Sequence, residues 1–223
     1  MAIFDFKLAC GERTYNFYKK WIEEFRDRLY YTTFPREDER EPFENITERV
    51  KHPESIYPLT NILLAVDPKK QRVAGGCVVD YHYDCNSVLP IYLVVAEEYR
   101  RQGLGRTLLE KVLSGNGGLR HCFVEVDNPN LIADSESPIS PADRIEIYEK
   151  WGFKPVPLTY YQPPLAEDKD YETNLLLMHR GENLSAEDLK TFLKCFYKGL
   201  GYENSEKLTE MYEEIDKTFV YLQ

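Results

Sequence analysis

The segment 89–109 constrains the fold of this chain more than any other part of the sequence. It begins with an apolar, β-branched run at 91–95, which predicts a buried strand. A polar turn with three arginines and two glycines follows at 100–106, and leucines at helical spacing begin there. The first turn of a helix carries unpaired N–H groups and the positive end of the helix dipole, which together favour an anion. The segment therefore predicts a strand, a turn and a helix that bind a phosphate-bearing ligand.

Strand and helix patterns alternate along the first 180 residues. Short apolar or alternating runs predict strands at 3–10, 60–66, 72–83, 91–95, 121–127, 153–161 and 171–179. Amphipathic spacing and start signals predict helices at 12–31, 43–51, 103–114 and 140–151. This alternation is typical of an α/β domain, which we place at residues 1–180.

The last forty or so residues have a different character, because two apolar stripes at helical spacing follow one another. The break Gly199-Leu200-Gly201 separates them, so a helical hairpin is expected at 181–223. Two interpretations stay open: the hairpin packs on the preceding domain, or it contacts a partner protein.

Composition excludes several classes of function. The formal net charge of −10 disfavours binding to nucleic acid or to an anionic membrane, both of which favour a basic surface. No apolar run approaches the roughly 20 residues of a membrane span, and the N-terminus does not resemble a signal peptide. The five scattered cysteines favour reduced thiols and a cytoplasmic location. The acidity mildly favours a cationic substrate, although it can equally serve solubility.

Motifs for other chemistries are missing from the sequence. The four histidines are far apart and accompany no cysteine pair, so no metal site is expected. Neither a nucleophile elbow nor a P-loop occurs. The pair Gly103 and Gly105 lacks the third glycine of a dinucleotide fingerprint.

Three motifs occur in the order typical of one family. They are Arg100-Arg101-Gln102-Gly103-Leu104-Gly105, then Phe123-Val124-Glu125-Val126-Asp127-Asn128-Pro129, then Ile147-Tyr148-Glu149-Lys150-Trp151-Gly152-Phe153. The first matches the R/Q-x-x-G-x-G/A signature of the Gcn5-related N-acetyltransferases (GNAT), and the others resemble later elements of that family. The resemblance implies a GNAT fold, in which helices flank a mixed, mostly antiparallel sheet that splays between its fourth and fifth strands. It also implies acetyl-CoA as co-substrate, bound in that gap.

The resemblance assigns the cofactor-binding residues. Backbone groups of Leu93, Val94 and Val95 would pair with the pantetheine arm, and the turn would cradle the pyrophosphate. The turn residues are Arg100, Arg101, Gln102, Gly103, Leu104, Gly105 and Arg106. Asn128 would also contact the cofactor. The chain departs from the family pattern here, because Tyr148 comes 20 residues after Asn128, a far longer separation than is usual in the family. The inserted segment 131–138 is either a lip over the acceptor site or a surface loop.

The resemblance also assigns catalytic residues. Tyr148 matches a tyrosine that lies near the cofactor sulfur and protonates the leaving thiolate, the alternative being a core aromatic. Glu125 lies where some members carry a catalytic glutamate, and strand alternation puts it on one face with Asp127. It is the candidate base, with a charged residue at a sheet edge as the alternative. His82, Asp80 and Asp84 are weaker candidates.

The expected activity is therefore transfer of an acetyl group from acetyl-CoA to a primary amine by direct attack in a ternary complex. The acceptor is either a small-molecule amine or an amine of a protein. Acidic residues at 125, 127, 134 and 136 favour a cationic one. The alternative is an acyl-CoA-binding module of the same fold, without catalysis, that acts through a protein partner. Whether the chain is a monomer or a homodimer stays open.

Overall fold

The structure is a computed structural model that describes residues 3–35, 37, 40–55, 57–115, 117–132, 139–165 and 169–219. The chain divides into two compact units. Unit 1 consists of Met1–Tyr81 and Val88–Gly118, and unit 2 of His82–Ser87 and Leu119–Gln223.

Unit 1 contains four strands in the order β1-β2-β3-β4. They are β1 (Asp5–Ala9), β2 (Leu59–Asp67), β3 (Arg72–His82) and β4 (Ser87–Val95). Strand β2 pairs antiparallel with both β1 and β3. The helices are α1 (Glu12–Phe25), α2 (Tyr31–Thr33), α3 (Phe43–Lys51) and α4 (Leu104–Ser114), and a π-helical turn, Arg26–Tyr30, joins α1 to α2.

Two adjacent glycines in β3 show how helices cover both faces of this sheet. A Cβ atom at Gly76 would lie 2.8 Å from side-chain atoms of Leu64 and of Phe25 in α1. A Cβ atom at Gly75 would lie 2.7 Å from the carbonyl oxygen of Val94 and 3.3 Å from Leu108 in α4. Because successive residues of a strand face opposite sides, α1 covers one face and α4 covers the other. The end of β4 can lie close to β3 because Gly75 has no side chain.

Unit 2 contains three strands in the order β5-β7-β6. They are β5 (His121–Asp127), β6 (Lys154–Pro155) and β7 (Leu175–Gly181), and β7 pairs antiparallel with both others. The helices are α5 (Pro141–Lys150), α6 (Ala186–Gly199) and α7 (Glu206–Phe219). Helix α5 begins as the sequence predicts, because Ser140 Oγ accepts a hydrogen bond from the Asp143 N–H at 3.1 Å.

The C-terminal helices pack within unit 2. The Phe192 ring of α6 stacks on the Phe123 ring of β5 with centroids 3.9 Å apart. Tyr212 of α7 donates a hydrogen bond to the Lys190 carbonyl of α6. Helix α6 is thus packed on the sheet through buried aromatic rings, and α7 is bound to α6. The domain boundary at residue 180 stays a prediction.

Two predicted strands are shorter in the structure than in the sequence interpretation. The strand expected at 153–161 contains only β6, and the one expected at 171–179 begins at Leu175. Four prolines at 155, 157, 163 and 164 account for the short β6, because proline has no N–H to donate to a ladder. Pairing resumes locally where Gln162 and Glu172 exchange backbone hydrogen bonds at 2.9 and 3.0 Å.

The other predicted elements are confirmed to within a few residues, and so is the α/β class with antiparallel pairing. The predicted hairpin at 60–83 corresponds to β2 and β3, and the predicted helix at 12–31 continues through the π-helical turn. Of the predicted lip, residues 133–138 lie outside the described part of the chain.

Candidate functional site

The turn after β4 is fixed by its own hydrogen bonds. The Ala96 N–H donates to the Ala74 carbonyl of β3 at 2.9 Å. The Tyr99 hydroxyl donates to Asp67 Oδ2 at 2.7 Å, and Arg100 Nε donates to the Val95 carbonyl at 3.0 Å. The chain that leaves β4 is therefore anchored to the β2–β3 hairpin.

The start of α4 forms a cluster of hydrogen-bond donors. Gly103 is the N-cap and adopts the left-handed conformation with φ +80°, and a Cβ placed there would meet nothing within 4 Å. In the described part of the chain, the backbone N–H groups of residues 101–106 donate to no acceptor, whereas the Thr107 N–H donates to the Gly103 carbonyl. Six donors and the helix dipole thus favour an anion at this point.

The arginine side chains of the turn differ in their contacts and exposure. Arg100 is engaged with Val95, and Arg106 lies 3.8 Å from Glu110 in an exposed ion pair. Arg101 is exposed and has φ +59°. An exposed ion pair contributes about 0–1 kcal/mol, so the Arg106 side chain remains available to a bound anion.

A cavity of about 220 Å³ in unit 1 adjoins the turn. Its lining residues come from the π-helical turn, from α2, and from the end of β4 with the turn that follows. They are Arg28, Leu29, Thr32, Thr33, Val95, Ala96, Glu97, Glu98 and Arg100. Arg28 donates to the Val73 carbonyl and to Glu24, and Glu24 in turn accepts from the Val73 N–H at 3.1 Å. The sequence carries no motif for the residues 28–33, which adjoin the turn only because the π-helical turn extends α1.

The candidate base, Glu125, has a partner that the sequence does not signal. Glu125 is half-buried on β5, and the Tyr160 hydroxyl donates to its Oε1 at 2.6 Å. Tyr160 is 2% exposed, and burial, followed by the nearby Glu125 carboxylate, raises the pKa of its hydroxyl well above the usual value. The hydroxyl therefore stays protonated and acts as a hydrogen-bond donor.

The candidate acid, Tyr148, is half-buried on α5. Its ring makes edge-on contacts with the rings of Trp151 and Phe153, at centroid distances of 5.4 and 5.3 Å. These contacts fix the ring through the same motif by which the sequence identifies it. Glu125 and Tyr148 both lie in unit 2, whereas residues 93–106 lie in unit 1.

The residues that follow Glu125 are engaged locally. Asp127 accepts a hydrogen bond from Arg144 Nη1 at 2.8 Å, which compensates its charge. The Asn128 N–H donates to the Asn174 carbonyl at 2.8 Å. Asn128 Oδ1 accepts from the Asn130 N–H at 3.0 Å, a local turn that uses the side-chain oxygen.

The comparisons with known proteins agree with this geometry. The family model described as the acetyltransferase (GNAT) domain matches residues 58–155, which include β2 to β6 and the donor cluster. The chain carries a GNAT acetyltransferase domain. The predicted fold is confirmed as well. A solved GNAT-family protein from Bacteroides thetaiotaomicron matches this chain with a TM-score of 0.61 at 20% identity, and the match covers 89% of this chain and 98% of that one.

Two further solved structures are similar at lower scores. An acetyltransferase from Thermus thermophilus has a TM-score of 0.49 at 16% identity and covers 81% of this chain and 99% of its own. A GNAT family acetyltransferase from Elizabethkingia anophelis, with acetyl-CoA bound, has a TM-score of 0.44 at 17% identity and covers 69% and 88%. None of the curated proteins matches the chain in sequence. The likeness at these identities concerns the fold alone.

The weaker base candidates lie in other surroundings. Asp80 is buried and accepts a hydrogen bond from Thr60 Oγ1 at 2.6 Å. Burial raises the pKa of Asp80 to about 6, against the opposing charge of Arg49. His82 is fully buried, and its ring lies edge-on to Phe192 and Phe196. Asp84 is exposed in a short 3₁₀ turn.

The described residues of the GNAT domain and its flanks contain neither a metal-binding group nor a membrane-spanning helix. Within these residues, no group of three or more His, Cys, Asp or Glu side chains could hold a metal ion. Across the same ranges, every helix is too short or too polar to span a membrane.

Proposed function

We propose that this chain is an N-acetyltransferase that transfers the acetyl group of acetyl-CoA to a primary amine by direct attack in a ternary complex. The observation that carries the proposal is the cluster of backbone donors at 101–106, within a GNAT domain and at the start of a helix. A pyrophosphate offers the acceptors that such donors need.

Apart from Asn128, the cofactor-binding residues in this proposal are those of unit 1. The amides of the turn bind the pyrophosphate, and the open space at Gly103 allows the phosphate oxygens to approach the backbone. Backbone groups of Leu93, Val94 and Val95 pair with the pantetheine arm. Arg100, Arg101 and Arg106 add positive charge in a chain whose net charge is −10.

The chemical step needs three groups. Glu125 takes a proton from the ammonium group, directly or through water, so that the neutral amine attacks the thioester carbonyl carbon. A backbone N–H near Val94 or Val95 polarises the carbonyl oxygen. As the new C–N bond forms and the C–S bond breaks, the Tyr148 hydroxyl protonates the leaving thiolate. The nitrogen then loses its second proton, which returns through solvent to the Tyr148 oxygen. The products are the amide and CoA with its thiol.

A cationic acceptor is favoured less strongly than the sequence suggests. Arg144 compensates the charge of Asp127, and residues 134 and 136 lie outside the described part of the chain. The carboxylate of Glu125 is the remaining acidic group of that set, and it contacts Tyr160. We therefore propose a primary amine as the substrate class, with small amines and protein amines both in the test panel.

The experiment measures CoA release from acetyl-CoA with a panel of polyamines, amino acids, aminoglycosides and peptides with free N-termini or lysines. For the accepted amine, we expect Tyr148→Phe to lower kcat by about 10²–10⁴-fold, with unchanged CoA affinity. Tyr18→Phe, a change on α1 in unit 1, is the matched control and should keep wild-type kcat. Turnover by Tyr148→Phe at the wild-type rate would refute the assignment of the acid.

The same experiment separates the proposal from its alternative, an acyl-CoA-binding module. The module predicts CoA binding without turnover on any amine or peptide. A protein that neither binds CoA nor turns over would refute both.

A second test addresses the donor cluster. We expect Gly103→Leu to weaken CoA binding by about 1–3 kcal/mol, because a side chain would obstruct the amides and a non-glycine residue is strained at φ +80°. Gly118→Leu is a matched control, since Gly118 also has a positive φ and open space at its Cβ position. Titration calorimetry that finds equal CoA affinity for both variants would mean that the amides do not bind the cofactor.

A further inference from the structure

The segment 158–162 of unit 2 has little sheet pairing of its own. It follows β6 and the residue Pro157, and its ladder contact is the isolated bridge between Gln162 and Glu172. Even so, Leu158 is only 7% exposed and Tyr160 only 2% exposed. Contacts other than strand pairing must therefore fix this segment.

The two C-terminal helices supply those contacts, since one binds the residue before Tyr160 in the chain and the other binds the residue after it. Glu214 of α7 accepts hydrogen bonds from the Thr159 N–H at 2.9 Å and from Thr159 Oγ1 at 3.2 Å. Tyr197 of α6 donates its hydroxyl proton to the Tyr161 carbonyl at 2.5 Å. The backbone is thus fixed at the residues immediately before and after Tyr160.

Tyr160 passes this constraint to Glu125, since its hydroxyl donates to Glu125 Oε1 at 2.6 Å. A hydrogen bond donated to a carboxylate stabilises the charged form and selects one orientation of it. The contacts therefore run from α6 and α7 to the segment 158–162, and from there to the proposed base.

We infer that the C-terminal helical hairpin is a positioning element for catalysis, which acts through Tyr160 to orient the Glu125 carboxylate. The inference rests on the proposed function, in which Glu125 is the base. Tyr160, Tyr197 and Glu214 are positioning residues, because each acts on the reaction through another group. The hairpin thus serves the catalytic domain itself.

The first test removes only the hydroxyl of the contacting residue. Tyr160→Phe should shift the acid limb of the kcat/KM profile upward by about one pH unit, because the carboxylate loses a donor. We expect kcat at pH 7 to fall about tenfold, with unchanged KM for acetyl-CoA. A merely structural role of Tyr160 would lower the melting temperature without moving the pH profile.

The second test acts from the helix. Glu214→Ala removes both bonds to Thr159 and should move the acid limb in the same direction as Tyr160→Phe. Glu213→Ala is the matched control, because Glu213 is an exposed neighbour whose ion pair with Lys217 spans 4.0 Å. The double variant of Tyr160 and Glu214 should show less than the sum of the two effects, since both act on one carboxylate.

Glu125→Gln distinguishes failure of this inference from failure of the proposed function. If Glu125→Gln is inactive while Tyr160→Phe keeps the wild-type pH profile, the positioning role is refuted and the base assignment stands. If Glu125→Gln turns over at the wild-type rate, the base assignment and the positioning role both fail. Retained CoA binding and Tyr148 dependence would then still support acetyl transfer.

Discussion

The pair of histidines His121 and His179 predicts an acid-sensitive stability of unit 2. These residues lie on β5 and β7, and their ring nitrogens Nδ1 and Nε2 are 3.0 Å apart. One ring must donate and the other must accept, so the pair cannot hold a proton on every nitrogen. Burial, followed by the charge of His121, lowers the pKa of His179 to about 4, and burial lowers that of His121.

The charged surroundings of the pair only partly oppose this effect. Asp188 of α6 lies 3.7 Å from His121 Nε2 and favours protonation, but Arg120 lies equally near Asp188 and competes for it. The faces of the rings contact Phe123, which offers no charge. Protonating the second ring would therefore place two cations in a mostly apolar site.

The size of this stabilisation follows from the lowered pKa of His179. The unfolded chain protonates His179 near pH 6.5 and the folded chain only near pH 4. This stabilisation is therefore complete above pH 6.5 and is lost as the pH falls towards 4. At 1.36 kcal/mol per pH unit the shift corresponds to about 3 kcal/mol. His179 is partly exposed, and solvent screening reduces the expected loss to about 1–2 kcal/mol.

The assay is urea unfolding from pH 7.5 to 4.5, followed by circular dichroism. The wild type should lose about 1–2 kcal/mol more of its unfolding free energy over this range than His179→Gln does. His52→Gln, a change at a histidine in unit 1 whose side chain is 44% exposed, should keep the wild-type pH dependence. The reasoning is wrong if the wild type and His179→Gln lose the same free energy between pH 7.5 and 4.5.

Three further variants test other parts of the structure. Gly75→Ala places a Cβ 2.7 Å from the Val94 carbonyl oxygen. Thermal melting should therefore show a loss of about 1–3 kcal/mol in the unfolding free energy, and calorimetry should show weaker CoA binding. The control Gly115→Ala should lower the stability much less, because its Cβ would lie 3.3 Å from the nearest atom. The pKa of Asp80 is raised to about 6 in the folded state, so the folded wild type binds a proton more tightly than the unfolded chain does. As the pH falls from 6 to 4, the unfolding free energy of the wild type should therefore rise by about 1–2 kcal/mol relative to that of Asp80→Asn. The same pH dependence of the unfolding free energy in both proteins would contradict this. Ser185→Ala removes the capping box of α6 and should cost about 1 kcal/mol in urea unfolding, and an unchanged midpoint would mean that the cap is dispensable.

Local sequence signals predicted the helix boundaries well. Helix α5 begins at the Ser140-Pro141 signal, and α4 ends at the glycines that follow Ser114. These features depend on residues within one helical turn of each other, so the sequence contains the whole cause. The strand predicted at 153–161 is longer than β6, because the apolar alternation there does not show which backbone groups can donate a hydrogen bond.

The GNAT motif by itself predicted where the donor cluster lies, whereas the greater part of its amides over its arginines in binding an anion stays a prediction. The motifs further along the chain made Tyr148 and Glu125 the candidate catalytic residues, and these roles also stay predictions. The sequence could not identify Tyr160 as the partner of Glu125, nor Glu214 as the acceptor for Thr159. These pairs are separated by 35 and 55 residues. Periodicity and capping act over a few residues, whereas such contacts exist only after the strands and helices have packed, so the tertiary structure alone decided them.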